Sequence, residues 1–173
     1  LSKIAYNRLP HDIVSGALTA DLPLRLEFLR VRYGLSFSPL REALNQLQVE
    51  RLVTSTSNRG FRVAALSISE MWDAIDARIL IEGEALRQSL RDGDDHWEGQ
   101  ILSSFHALDK SRQRLKEGSL PAEDMDEIEI RHKAFHATLL AGCKSLLLLQ
   151  MADTLYTQTE RYRLPLLSMK EPE

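Results

Sequence analysis

The chain has 173 residues, of which 43% are hydrophobic and 27% are charged, and its net charge is −3. This length allows one domain of ordinary size or two small ones, and the hydrophobic content is enough to build packed cores. The single cysteine, Cys143, excludes a disulfide within the chain, and the sequence contains neither a signal-peptide pattern nor an apolar run of about 18 residues. We therefore expect a cytoplasmic protein that does not contact the membrane.

Positive charge is concentrated in the first third of the chain. Residues 1–64 contain nine Lys/Arg and five Asp/Glu, whereas the remainder contains thirteen and twenty. The resulting net charges of +4 and −7 are typical of a DNA-binding head joined to an acidic, partner-sensing body. Chance clustering on a mixed surface is the alternative interpretation.

Two helices and a turn are predicted at the start of the chain. Residues 3–16 supply the first helix, and Pro10 either interrupts it or sets its start. The second helix begins near Leu26 and stops at Gly34, because glycine readily takes the left-handed conformation that ends a helix. Residues 35–37 then form a turn of the length that joins the two helices of a helix-turn-helix motif.

The third helix is the most informative element. Ser38 can cap it, and Pro39 suits its first turn. One side of the helix is apolar and the other carries hydrogen-bonding side chains. Arg can pair with guanine or with a phosphate, and Asn and Gln can pair with adenine, so these side chains can read the major groove of DNA. An ordinary solvated helix face is the alternative. The polar side consists of Ser38, Arg41, Asn45 and Gln48.

Two β-rich runs follow the third helix and complete a winged helix-turn-helix. They cover residues 52–56 and 61–64, on either side of the turn signal at 57–60. We therefore predict a winged helix-turn-helix DNA-binding domain at residues 1–65 and an all-α effector-binding and dimerisation domain at residues 66–173.

The second half of the sequence is predicted to be helical throughout. Apolar residues repeat at helical intervals over residues 68–90, and the polar residues 92–95 break this helix. Three more helices are predicted at about 97–115, 123–142 and 145–163. The predicted fold class is mainly α, with the winged head followed by an antiparallel all-α bundle.

Four segments carry a family resemblance. In the head these are YGLSFSPLREAL (33–44) and RGFRV (59–63), and in the body RILIE (78–82) and HKAFH (132–136). The head segments closely resemble the DNA-binding domain of GntR-family bacterial transcription regulators. The body segments look like the effector domain of the FadR-like subfamily, often called FCD. The resemblance implies a homodimer that binds a palindromic double-stranded DNA operator, senses a small organic acid, and places Arg59 and Gly60 of the wing on DNA.

Two histidines in the body are candidate metal ligands. His132 and His136 lie four residues apart on the predicted third body helix, so their imidazoles can share one metal ion. Two hydrogen-bonded or partly exposed histidines are the alternative. The resemblance implies a divalent metal ion of the Zn, Ni or Mn class, with further histidine ligands from helices near the C-terminus. The chain ends at Glu173, before such helices, so we expect this domain to be incomplete, and a naturally short domain is the alternative.

The resemblance also has departures. Many relatives carry a basic residue where this chain has Phe37, so one DNA contact is expected to be missing. His132 stands where the common metal-site pattern has Asp, and a subfamily variant with Glu129, His132 and His136 is closer.

Three arginines are candidates for binding the carboxylate of an effector. Arg78 can form a bidentate contact with a small acid, although Glu82, four residues on, is an equally suitable partner. Arg161 and Arg163 are further candidates, against the alternative of a solvated helix end.

Two other functions remain open at this stage. A metal-dependent enzyme using the two histidines would need a nucleophile or a placed general base, and the sequence offers neither, so we expect no enzymatic activity. A DNA-binding dimer whose helical domain only dimerises, and binds no effector, is the alternative to the ligand-responsive regulator.

Overall fold

The structure is a computed structural model that describes residues 2–56, 60–116 and 125–168. The mainly α architecture predicted from the sequence is confirmed, with a small sheet in the N-terminal part. The elements in the described residues are α1 (Ser2–Val14), α2 (Leu26–Tyr33), α3 (Phe37–Val49), β1 (Val53–Thr56), β2 (Gly60–Val63), α4 (Ile68–Asp92), α5 (Asp95–Lys116), α6 (Met125–Leu140) and α7 (Leu146–Ser168).

The described residues separate into two compact units. The first contains the residues up to Ala77 together with those from Thr154 onward, and the second is Arg78–Asp153. We call the segment from α1 to β2 the head; it lies in the first unit together with the C-terminal part of α7. The domain division at residue 65 stays a prediction about the family domains. Among the described residues, no helix is both long enough and apolar enough to cross a membrane.

The helix-turn-helix forms where the sequence predicts it, with a small shift at the start of α3. Gly34 follows α2 in the left-handed conformation, with φ of 66°, where a side chain would be strained. The α3 helix begins at Phe37, after Ser36, so Ser38 is its second residue and not its cap as predicted. Pro39 is then the third residue, which a helix tolerates because N–H groups of the first turn have no acceptor within the helix.

The head has one contiguous apolar core. The predicted apolar side of α3 is buried, and β1, α1 and α2 all pack against this helix. The α1 helix continues through Pro10, so Pro10 neither interrupts the helix nor sets its start, and that prediction is wrong. Burial of such side chains contributes roughly 1.5–3 kcal/mol each relative to exposure. The fully buried members of this core with the largest side chains are Leu9, Leu18, Leu29, Leu40, Leu44, Leu47, Leu52, Val53 and Val63.

The wing is an antiparallel hairpin, and a third segment forms hydrogen bonds with its second strand. The Leu24 N–H donates to the Phe61 carbonyl at 2.9 Å, and the Val63 N–H donates to the Leu22 carbonyl at 3.0 Å. Residues 22–24 therefore cover one edge of β2, which the sequence analysis missed. The hairpin pairs Val53 with Val63, Thr54 with Arg62, Ser55 with Phe61, and Thr56 with Gly60.

The second unit has a small core where α4 approaches the end of α6. The Ser89 hydroxyl is fully buried and donates to the Leu140 carbonyl at 2.8 Å. A β-carbon at Gly142 would lie 2.9 Å from the Ser89 carbonyl oxygen, so glycine permits this close approach. Two helices of the unit begin with side-chain caps, since Asp94 accepts from the Trp97 N–H and Ser145 accepts from the Leu148 N–H.

The apolar residues that repeat along α4 are largely exposed. Ile68, Trp72, Ile79 and Leu90 are between 57% and 76% exposed, and helical geometry places them within about 40° of one another around the axis. Ala74, Ala85 and Ser89 are the residues of α4 that are buried. We call the four exposed residues the α4 stripe.

Candidate nucleic-acid interface and histidine pair

The polar side of α3 faces outward from the head. Arg41, Asn45 and Gln48 are exposed, and none of their three side chains has a hydrogen bond or ion pair to another described residue. The Ser38 hydroxyl is also exposed and lies 3.5 Å from a carboxylate oxygen of Glu42. The helix therefore presents one arginine and two amides that are available to base edges or phosphates.

A concave surface lies in front of the N-terminus of α3. It is lined by residues 34–37 and by Arg30 of α2. The Arg30 guanidinium pairs with Glu27 at 3.1 Å and lies 5.8 Å from the centre of the Phe37 ring. An arginine therefore stands beside Phe37, where the sequence analysis expected a DNA contact to be missing. The sequence analysis did not consider Arg30, although the absence of a basic side chain at Phe37 could have prompted a search for one nearby.

The wing residues are only partly described. Gly60 begins β2 with φ of 75°, a conformation that favours glycine. The predicted DNA contact from Arg59 lies outside the described residues.

A carboxylate in α1 joins α1 to α2. One Asp12 oxygen accepts from the Tyr33 hydroxyl at 2.7 Å and from the Arg32 guanidinium at 2.8 Å. Burial tends to raise the pKa of Asp12, but the hydrogen bonds from Tyr33 and Arg32 outweigh it and hold that pKa below its ordinary value. Burial, together with the hydrogen bond to Asp12, raises the pKa of Tyr33 to about 12.

Because of the lowered pKa of Asp12, we expect the stability of the head to depend on pH in the acidic range. Because its folded-state pKa is lowered, Asp12 stabilises the fold above its unfolded value of 3.8, and that contribution is lost as the pH falls through the folded value. We expect Asp12→Asn to be less stable than the wild type at neutral pH. The difference in melting temperature should shrink below about pH 4. Asp73→Asn, an exposed position on α4, is the control, and a gap that stays constant in acid would contradict the assignment.

The two candidate metal ligands are neighbours on α6. The ring centres of His132 and His136 are 4.6 Å apart, and His132 Nδ1 lies 3.9 Å from a carboxylate oxygen of Glu129. Both histidines are half-buried. In the described parts of the chain, no group of three or more His, Cys, Asp or Glu residues is arranged to hold a metal ion. The pair therefore fits two positions of a metal site and does not complete one.

The structure separates the three arginines that were candidates for effector binding. Arg78 pairs with Glu82 at 2.6 Å, which is the alternative named from the sequence. Arg163 pairs with Glu160 at 3.5 Å. Both arginines remain candidates, because an ion pair on a helix surface is weak enough to exchange for a ligand carboxylate.

Arg161 has a different position from the one predicted. Its side chain is buried, and the guanidinium donates to the backbone carbonyls of Arg51, Ala64 and Ala65. Its donors are therefore directed at backbone carbonyls beside the wing hairpin, so an effector would have to displace these contacts to reach them. The position of Arg161 on α7 gave no signal of this, because the partners are backbone atoms about a hundred residues away.

Comparisons with known proteins agree with this architecture. Residues 1–63 match the family described as bacterial regulatory proteins, gntR family, and residues 73–173 match the FCD domain. The chain is 40% identical over 158 residues to the HTH-type transcriptional repressor GlaR of Escherichia coli (strain K12), covering 91% of this chain and 70% of that protein. It is 37% identical over 163 residues to the HTH-type transcriptional regulator BphR of Paraburkholderia xenovorans (strain LB400), covering 94% of this chain and 66% of that protein.

A solved structure has the same fold. The protein titled E. coli McbR/YncC superposes with a TM-score of 0.76 at 20% identity, covering 96% of this chain and 74% of that one. The curated relatives are named as transcription regulators and not as enzymes. With its winged head and its FCD domain, this chain belongs to the GntR family of bacterial regulatory proteins and is a DNA-binding transcription regulator.

Proposed function

We propose that the protein is a ligand-responsive regulator in which α3 reads a palindromic operator and the helical domain senses a small carboxylic acid. The proposal that α3 reads DNA rests on one observation, which is that this helix has one apolar side and one polar side. Its apolar side is buried in the head core, and its arginine and amide side chains are exposed. Ser38, Arg41, Asn45 and Gln48 are the proposed groove contacts.

The wing contributes contacts of a different kind. Arg59 and Gly60 are proposed to meet phosphates or the minor groove. Such contacts raise affinity for all DNA sequences and increase its salt dependence. Selection of binding sites from random DNA tests the proposal, with an inverted repeat as the expected result. A single unrepeated half-site would contradict the palindrome. We propose that the protein acts in the cytoplasm, because the DNA of a bacterium lies there.

A homodimer is proposed as the form that binds the palindrome. The α4 stripe supports it, because a row of exposed apolar side chains is typical of a surface that packs against another protein. Most soluble oligomers are symmetric dimers, in which both copies use the same surface. The two-fold symmetry of such a dimer matches the two inverted half-sites of a palindrome. Light scattering of the full chain and of Trp72→Glu tests this. The expected result is a dimer that the charged substitution weakens, with Val31→Glu, an exposed apolar position on α2, as the control.

The effector is proposed to be a small organic acid held by arginine. Arg78 is half-buried, and its partner Glu82 can be displaced by a ligand carboxylate of the same charge. Arg163 is the second candidate. A thermal-shift screen of mono- and dicarboxylic acids tests both, and Arg78→Ala should abolish a shift that the wild type shows.

A divalent metal ion is proposed to take part through His132 and His136, which would supply two of its ligands. We expect a chelator to lower the melting temperature of the full-length protein, since an ion bound only to the folded state at a hundredfold excess over Kd stabilises by about 2.7 kcal/mol. The His132→Ala, His136→Ala double variant should melt lower than the wild type and should not respond to the chelator.

The histidines of α5 provide the matched control for this test. His96 and His106 are both exposed, so their double alanine variant should respond to chelator like the wild type. Identical melting curves with and without chelator, together with elemental analysis showing no metal, would leave His132 and His136 as structural residues.

The same screen distinguishes the second candidate function, a dimer that binds DNA without an effector. The α4 stripe favours this candidate as well, because it requires dimerisation only. A carboxylate that shifts the melting temperature and changes operator affinity supports the ligand-responsive regulator. No shift from any acid, with metal present or absent, supports the simple dimer.

A further inference from the structure

The guanidinium of Arg161 is buried and donates to three backbone carbonyls beside the wing hairpin. Only 6% of this residue is exposed. Its Nη1 donates to the Arg51 carbonyl at 3.1 Å, and its Nη2 donates to the carbonyls of Ala64 at 2.6 Å and Ala65 at 3.0 Å. Burial lowers the pKa of the guanidinium. A buried cation is costly unless its donors are satisfied, and here three carbonyl oxygens accept hydrogen bonds from the guanidinium.

The three carbonyls lie at the two ends of the wing hairpin. Arg51 stands between the end of α3 and the start of β1, and Ala64 and Ala65 directly follow β2. A single guanidinium therefore bridges the residue that enters the wing and the residues that leave it. The planar fork of arginine is suited to this, because it holds several donors in fixed directions.

Gln158 extends the same contact to the reading helix. It lies three residues before Arg161 on α7, and its Nε2 donates to the carbonyl of Glu50, the residue that caps α3. Residues three apart on a helix lie on neighbouring parts of its surface. One side of α7 thus contacts the residue that caps the reading helix and the base of the wing. We call Arg161 and Gln158 with these carbonyls the α7 clamp.

The clamp acts on a strained point of the backbone. Arg51 has φ of 60°, a left-handed conformation that is unfavourable for a residue with a side chain. Such residues persist only where their surroundings fix them. The Arg51 N–H donates to the Gln48 carbonyl at 3.1 Å, and Arg161 fixes its carbonyl oxygen. This turn sets the direction in which the wing leaves α3.

We infer that Arg161, with Gln158, is a positioning residue for DNA recognition, which fixes the wing relative to the reading helix without contacting DNA. The inference rests on the proposed roles of α3 and the wing. A reading helix and a wing that are held at a constant angle can contact bases and backbone at once. Loosening that angle should weaken binding to the operator more than binding to unrelated DNA, since only the operator complex needs every contact in register.

The test compares operator and scrambled duplexes by fluorescence anisotropy, using the full chain at a temperature where circular dichroism shows each variant folded. Arg161→Met keeps the length of the side chain and removes its donors. We expect operator affinity to fall about tenfold, comparable to the loss of one base contact, with affinity for the scrambled duplex nearly unchanged. Arg161→Lys, which keeps the charge and some of the donors, should recover part of the loss.

Arg87→Met is the matched control, because Arg87 is exposed on α4 and pairs with Glu84 on the same helix. It should keep wild-type discrimination between the two duplexes. Gln158→Leu removes only the contact to Glu50 and should cause a smaller loss of discrimination, so the inference stays testable if Arg161→Met does not fold. A lower melting temperature with unchanged discrimination in the folded variants would assign the clamp to stability alone and overturn the inference.

Arg41→Ala separates this inference from the proposed interface. If Arg41→Ala abolishes operator binding while the folded clamp variants retain full discrimination, only the positioning role fails. If Arg41→Ala binds the operator normally, the assignment of α3 as the reading helix fails.

Discussion

Replacing Arg41 by alanine is expected to weaken operator binding by about 1–3 kcal/mol, which is about a 5- to 150-fold increase in Kd. The side chain is exposed on α3, and no described residue competes for its donors. A guanidinium can donate two parallel hydrogen bonds to guanine or a phosphate, and truncation removes both. Gel-shift titration at fixed salt concentration measures the change.

The form of the loss distinguishes the two kinds of contact. If Arg41 reads a base, its variant should lose discrimination at one operator position, whereas loss of a phosphate contact lowers affinity for all sequences and flattens the salt dependence by about one unit. Arg114→Ala provides the control, because Arg114 is exposed on α5 in the body. Equal losses from Arg41→Ala and Arg114→Ala would move the interface away from α3.

Leu44→Ala is expected to destabilise the protein by about 2–5 kcal/mol. Leu44 is fully buried in the core of the head, on the side of α3 opposite to the reading residues. The substitution removes buried methyl groups and leaves a cavity that the surrounding helices fill only in part. Urea denaturation followed by circular dichroism measures the change in the free energy of unfolding.

The same helix offers a control for this substitution. Val49 is 83% exposed, so Val49→Ala removes methyl groups without opening a cavity and should stay within about 0.5 kcal/mol of the wild type. A loss for Leu44→Ala as small as that for Val49→Ala would mean that the head core is not packed as described. DNA binding by Leu44→Ala should recover at lower temperature, because its reading residues are unchanged.

The sequence predicted the head well because its signals are local. The apolar spacing of α3, the glycine at position 34 and the turn between the β-runs each act within a few residues, so periodicity and turn chemistry reveal them. Helix ends were less certain, and α3 starts at Phe37, before the predicted cap at Ser38. The pairing of residues 22–24 with β2 was missed, because strand partners distant in the chain leave no local pattern.

The apolar face of α4 illustrates a different limit. Its spacing correctly predicted a helix, but a pattern does not show what covers the apolar side. In the structure Ile68, Trp72, Ile79 and Leu90 are exposed, whereas Ala74 and Ala85, which the pattern did not single out, are buried. The candidate site residues show the same contrast between what a sequence pattern reveals and what it does not. The proximity of His132 and His136 follows from helical spacing, while the partners of Arg161 are backbone atoms that no residue pattern indicates.

The contacts of Arg161 also affect how the domains of this protein can be fused to domains of other proteins. Fusions that transfer the first 65 residues onto another sensor treat the winged domain as an interchangeable part. In such a fusion the carbonyls of Glu50, Arg51, Ala64 and Ala65 would lose the donors that α7 supplies. A hybrid regulator built from this sequence should therefore carry residues 154–163, either in a second polypeptide or in a grafted helix. A new sensor without these residues would need to provide an arginine at the same place.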